Sequence, residues 1–149
     1  MGLDLDAIRD WGAAGVLTLV TPEELKSLRV EVLGQEVVAR GMRWFHLPIE
    51  DVTVPTSQWA NDWNLARAEL HQILDAGCKL LVHCKGGLGR AGLVAARLLI
   101  ERGVSPADSI ISVRHKRCGA IDAGLQEGYL HALLRRGEGA LTWPDGSGW

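Results

Sequence analysis

The chain has 149 residues, of which 47% are hydrophobic and 23% charged, a size and balance that suit one globular domain and exclude a disordered, collagenous or coiled-coil chain. Its 16 Lys and Arg face 18 Asp and Glu, a net charge of −2, so no global basic field exists to hold nucleic acid or an anionic membrane. Any anion site must therefore be local.

The first residues, Met1-Gly2-Leu3-Asp4-Leu5-Asp6, show neither the basic segment nor the apolar core of an export signal. Gly15 to Val20 reads as a buried strand. Thr21-Pro22-Glu23-Glu24 then supplies an N-cap, a proline at the first helical position and a capping-box glutamate, so a helix follows. Arg43 to Pro48 is predicted as a second strand. After it, Trp59, Trp63, Ala66, Leu70 and Ile73 recur at spacings of three and four, which places them on one helix face. Core packing is expected for that stripe, with a binding cleft as the alternative for the two tryptophans. Lys79 to Cys84 is a third strand, apolar enough for a parallel sheet. A helix opens near Arg90 and runs to about Arg102; its apolar run, Ala91 to Ile100, is too short to span a bilayer. Ser105-Pro106-Ala107-Asp108 opens another helix, and a last one runs from about Asp122 to Arg135. The expected fold is α/β, a mainly parallel central sheet flanked by helices, in a single domain over residues 1–136 with a Gly/Pro-rich tail over 137–149.

Three cysteines, Cys78, Cys84 and Cys118, cannot all pair with one another and lie in no array with zinc-ligand spacing. A cytoplasmic protein that works without metal or other cofactor is expected, with no nucleic-acid or membrane partner and nothing to fix an oligomeric state.

The chemistry concentrates in His83-Cys84-Lys85-Gly86-Gly87-Leu88-Gly89-Arg90-Ala91-Gly92. A hydrophobic strand ends in a cysteine, a glycine-rich turn follows, and an arginine opens a helix. Glycines let successive backbone N–H groups point inward, the helix N-terminus adds partial positive charge, and the Arg90 fork can grip two oxygens of a tetrahedral anion. A phosphate fits such a cradle over Lys85, Gly86, Gly87, Leu88, Gly89 and Arg90. The same donors favour a thiolate, which makes Cys84 a nucleophile. A buried inert cysteine would need none of these neighbours.

At these residues the chain resembles the cysteine-based protein phosphatases with the H-C-x5-R-[ST]-G signature, and within them the small dual-specificity group that includes the kinase-associated phosphatases, whose loop reads Gly-Gly-Leu-Gly-Arg as at Gly86 to Arg90. Val113 to Ile121 is similar to a second stretch of that group, in which a proline stands at the place of Cys118. The resemblance implies a parallel sheet flanked by helices, a phosphocysteine intermediate and a phosphorylated protein as substrate. It also implies a general acid on a loop about 30 residues before the cysteine. Asp51, with Pro55, matches that loop's D-x3-P spacing, and Glu50 is its neighbouring rival. Trp143-Pro144-Asp145 spells the acid-loop tripeptide of larger tyrosine phosphatases, but it follows the cysteine, and a Pro-Asp-Gly turn explains it. His83 is expected to brace the loop rather than carry a proton. Gln126 resembles a family position that orients water, an exposed helix residue being the alternative. The run Arg114-His115-Lys116-Arg117 either attracts anionic substrate or forms a solvated helix end. Cys78 or Cys118 could form a protective disulfide with an oxidised Cys84, although each also reads as a packed thiol.

The chain departs from the pattern at Ala91, where the family carries Ser or Thr, at Cys118, and in lacking the usual N-terminal strand pair. A single tyrosine, Tyr129, leaves no aromatic wall, so a shallow and tolerant site is expected. Rival readings are a phosphoinositide phosphatase using the same loop with Lys85 as an extra cation, a rhodanese-like sulfurtransferase, which would have no use for Asp51, and a non-catalytic phosphate-binding module.

Overall fold

A computed structural model of the chain describes residues 2–136; the expected tail, with Trp143, Pro144 and Asp145, lies outside them. No described helix is long and apolar enough to cross a membrane. The described residues fall into two compact units, one of residues 2–51 and 55–85, the other of residues 52–54 and 86–136.

The first unit is built on a three-stranded parallel sheet in the order β2-β1-β3, with β1 at Ala13–Thr18, β2 at Arg43–His46 and β3 at Lys79–His83. Thr18 stands level with His46 on one side and His83 on the other. The strands lie where the apolar runs put them, but each ends one or two residues sooner, and β1 begins two residues earlier, at Ala13. Leu19 still donates to the His83 carbonyl (3.0 Å), after which the chain turns into the Thr21 cap of helix α2, Pro22–Ser27. The predicted capping box is present: Thr21 Oγ1 accepts from the Glu24 amide and Glu24 Oε2 from the Thr21 amide.

Each sheet face buries a different set of side chains. Val16 and Val20 pack with Leu5 of helix α1 (Gly2–Asp10), Leu25 of α2, and Leu33 and Val37 of helix α3 (Leu33–Ala39). Helix α4, Ser57–Asp75, covers the other face, where Trp59, Trp63 and Leu70 are buried and Trp59 Nε1 donates to the Leu47 carbonyl (3.0 Å). The tryptophans stack 5.1 Å apart. Core packing is the outcome for that stripe, at about 1.5–3 kcal/mol for each large side chain removed from water. The short helix α3 was not foreseen: it spans seven residues and its N-cap, Val32, makes no side-chain bond. Gly34 within it is required by close approach, since a Cβ there would overlap the Trp44 ring.

The second unit is helical. Helix α5, Gly89–Glu101, packs on α6, Pro106–Lys116, and α7, Leu125–Ala132. Arg97, inside the apolar run of α5, is buried with Glu101 (Nε to Oε2 2.9 Å) and hydrogen-bonds the Tyr129 hydroxyl. The charge is therefore matched one turn away on its own helix, as burial of an ion requires. Helix α7 starts three residues later than expected, because Ile121 at φ 64° and Gly124 hold the chain out of helical geometry.

Candidate active site

In the first unit the predicted nucleophile sits where β3 ends. Cys84 is half-buried and packs against the apolar cluster of Val16 and Val20. His83, the last strand residue, is held by its carbonyl, which accepts from Leu19, and by its ring, whose Nε2 lies 2.8 Å from Thr18 Oγ1. Burial pushes the His83 pKa down; a hydrogen bond to the Cys84 backbone opposes this, and the nearby His46 adds to it. The ring is thus neutral near pH 7. Asp51 and Glu50 are both exposed on the loop after β2. That loop starts as a continuation of the sheet, with Leu47 donating to the Thr18 carbonyl and Ile49 to that of Leu19. Cys78 and Cys84 lie at opposite ends of β3, roughly 20 Å apart at strand rise, far beyond disulfide reach. A Cys78–Cys84 bridge is therefore ruled out in the folded unit, and both Cys78 and Cys118 are exposed rather than packed.

In the second unit the glycine-rich turn is braced from three sides. Gly87 adopts φ 68°, and Arg117 reaches back so that Nε donates to the Gly87 carbonyl (3.2 Å) and Nη2 to that of Gly86 (3.4 Å). In a trans peptide the next N–H points opposite to the carbonyl, so these bonds aim the N–H groups of Gly87 and Leu88 away from Arg117. The Leu88 carbonyl accepts from Gly92 (2.9 Å) and Ile121 (3.4 Å), which orients the Gly89 N–H in the same manner. Gln126 fills the third side: Oε1 accepts from the Asp122 amide (2.9 Å), Nε2 donates to the Thr53 carbonyl (3.3 Å), and a Cβ on Gly89 would lie 3.3 Å from Oε1. Arg90 is 2% exposed in the first turn of α5. Lys85 and Gly86 are exposed, and Leu88 is 38% exposed.

Two expectations are corrected here. Gln126 is 2% exposed, so it is no surface helix residue. The run 114–117 is neither a free anion trap nor wholly a solvated helix end: Arg114 donates to the carbonyls of Ala120 (3.0 Å) and Ile121 (2.8 Å) and pairs with Glu127 (3.1 Å), while Arg117 fastens the glycine turn. Ile121 and the close contact of Gly92 with Ala120, where an added Cβ would lie 2.9 Å from the alanine's, were missed as supports of the loop. The resemblance over Val113 to Ile121 was the one signal that pointed there. Among the described residues no group of three His, Cys, Asp or Glu side chains is placed to hold a metal ion.

Residues 3–129 match the family model described as the DSP-PTPase phosphatase domain of a Swiss Army Knife protein. The chain belongs to this family. As a DSP-PTPase domain it is 36% identical over 131 residues to the Cyclin-dependent kinase inhibitor 3 of Rattus norvegicus, covering 86% of this chain and 60% of that one. It is 35% identical over 88 residues to the Protein tyrosine phosphatase type IVA 2 of Mus musculus, covering 58% and 52%. It thus spans little more than half the length of these relatives. Among solved structures, a kinase associated phosphatase with its catalytic cysteine changed to serine superposes at a TM-score of 0.81 and 32% identity, over 91% of this chain and 76% of that one. The active form of Tk-PTP gives 0.74 at 32% identity over 91% and 87%.

Proposed function

We propose that the chain is a protein phosphatase of the cytoplasm, hydrolysing phosphotyrosine and also phosphoserine and phosphothreonine through a phosphocysteine. The observation that carries the reading is the turn between β3 and α5: a cysteine at the strand end, backbone N–H groups aimed by carbonyl contacts on their far side, and an arginine buried in the first helical turn. Cys84 attacks phosphorus in line, forming S–P as the P–O bond breaks, while Arg90 and the backbone donors of Lys85 to Gly89 hold the equatorial oxygens. Asp51 gives its proton to the departing oxygen. As a carboxylate it then takes a proton from water, whose oxygen attacks the phosphocysteine and expels the Cys84 thiolate.

The experiment is a turnover panel of phosphotyrosine, phosphoserine and phosphothreonine peptides, an inositol phosphate and thiosulfate, with chelator present and with Asp51→Asn alongside. Peptide turnover is expected, with Asp51→Asn slower by about a hundredfold on phosphoserine and far less on aryl esters whose phenol leaves readily. Turnover confined to the inositol phosphate or to thiosulfate would replace the reading.

A further inference from the structure

Three side chains from three different strands meet at the carboxyl edge of the sheet. Thr18 stands level with His46 and His83 in the register, so the three project from the same face. Trp44, two residues before His46, shares that face, stacks on His46 (5.1 Å, 19°) and directs its indole N–H to Thr18 Oγ1 (2.9 Å). His46 is fixed in turn by the bond from Nε2 to the Val20 carbonyl (2.8 Å). Thr18 is fully buried.

The direction of these bonds follows from the inventory of donors. An indole N–H can only donate, so Thr18 Oγ1 accepts from Trp44. A hydroxyl oxygen can accept twice, but Thr18 is fully buried and its side chain bonds only Trp44 and His83 among the described residues, so its proton is satisfied by pointing at His83 Nε2, 2.8 Å away. A neutral imidazole whose Nε2 accepts carries its proton on Nδ1, and the neighbouring Cys84 backbone favours a protonated His83 ring against the effect of burial. We infer that Thr18, polarised by Trp44, is a positioning residue for the reaction: it fixes the tautomer and rotation of His83 and through them the backbone that carries the nucleophile. This rests on the phosphatase reading only for its kinetic consequence. Neither Thr18 nor Trp44 lies near the signature in sequence; strand register alone brings them to it.

The test compares Thr18→Val, which keeps the shape and removes the hydroxyl, with Thr18→Ser, which restores it. On 4-nitrophenyl phosphate, Thr18→Val is expected to lower kcat about tenfold with KM within twofold of wild type, and Thr18→Ser to return kcat to within about twofold. Long-range 1H–15N spectra, with His83 assigned through His83→Gln, should show a protonated Nδ1 and a bare Nε2 in the wild type and in Thr18→Ser, and a tautomer mixture in Thr18→Val. A Thr18→Val protein with wild-type kcat, or one that loses activity while its His83 spectrum is unchanged, would overturn the inference. Should Thr18→Val fail to fold, Trp44→Phe decides by the same spectrum: a tautomer mixture supports the relay and an unchanged pattern sinks it. Because the spectrum reads the resting protein, absence of wild-type turnover would count against the phosphatase reading and leave the tautomer result to stand on its own.

Discussion

The two halves of the Cys84–Arg90 signature are held by different means. The cysteine half hangs from a sheet, where Thr18, Trp44 and His83 form a chain of bonds between residues as much as 65 positions apart. The arginine half is held from behind by residues that follow it, Arg117, Ile121 and Gln126, acting on backbone carbonyls and on the space beside glycines. The first arrangement fixes one side chain and one backbone step to high precision. The second fixes a curve of peptide planes, and so tolerates many side chains provided that glycine stands where φ or close packing demands it.

The largest effects should come from the two groups to which the proposed reaction assigns attack and oxyanion binding, one in each half. Cys84→Ser and Arg90→Lys are each expected to lower turnover at least a thousandfold, the first by removing the nucleophile and the second by replacing a planar fork with a point charge. They should part in binding: Cys84→Ser keeps affinity for inorganic phosphate, whereas Arg90→Lys loses it, as phosphate titration followed by NMR or calorimetry would show. Equal phosphate affinity in the two would mean that the cradle does not depend on its arginine.

A smaller gain tests the first turn of α5. Ala91, buried there, has no hydroxyl to offer the thiolate that the proposed reaction expels on hydrolysis of a phosphocysteine. A hydrogen bond to a charged group is worth about 1.5–3 kcal/mol, some of which the backbone donors recover. Breakdown of the phosphoenzyme should therefore limit turnover, giving a burst of product equal to the enzyme present, and Ala91→Ser should raise kcat roughly tenfold. Rapid-quench kinetics showing no burst, with no gain in the serine variant, would assign that stabilisation to another donor.

Smaller again is the effect of the brace behind the turn. Arg117→Met removes both bonds to the Gly86 and Gly87 carbonyls, and phosphate affinity should fall about fivefold, at roughly 1 kcal/mol. Arg114→Met, whose partners are Ala120, Ile121 and Glu127, should instead lower Tm with less effect on phosphate. If the two variants were interchangeable in both measurements, the brace would be a general helix contact and not a support of the cradle.

The sequence revealed these halves unequally, for a physical reason. Strands, caps and the strand–turn–helix at the signature were legible because each rests on neighbouring residues: a short continuous apolar run, a Thr-to-Glu capping box, glycines in a run. The same holds for the core stripe of Trp59, Trp63 and Leu70. The supports of the site were not legible, because Thr18 and Trp44 look like ordinary strand residues until register sets them beside His83, and Arg117 looks like surface charge until the chain returns to the turn. Gln126 was visible only through likeness to relatives, since nothing in its local sequence distinguishes a buried amide joining Thr53 to Asp122 from an exposed one. Helix α3 escaped for the opposite reason, being too short and too poorly capped to leave a periodic trace.

The smallest effect expected is on stability in mild acid, and it separates the sheet-held half from the helix-held one. Burial lowers the His83 pKa in the folded protein below its ordinary value near 6.5. Protonation would also oblige Nε2 to donate, turning Thr18 from donor to acceptor of two N–H groups. Below about pH 6.5 the unfolded chain takes up a proton that the native state resists, so the His83 contribution is complete above that pH and declines as pH falls towards the folded pKa. A single such proton is worth at most about 1.4 kcal/mol per pH unit, or roughly 3–6 °C in Tm for a domain of this size. Thermal melts at pH 7.5 and 5.5 should therefore show a larger drop for the wild type than for His83→Gln. His46 is retained in both proteins, so the difference between the two drops isolates the His83 ring. Arg117→Met, which disturbs only the helix-held half, should keep the wild-type difference. Identical drops in wild type and His83→Gln would mean that His83 accepts its proton in the folded protein as readily as in the unfolded one, and the neutral ring on which the sheet-held half depends would have to be given up.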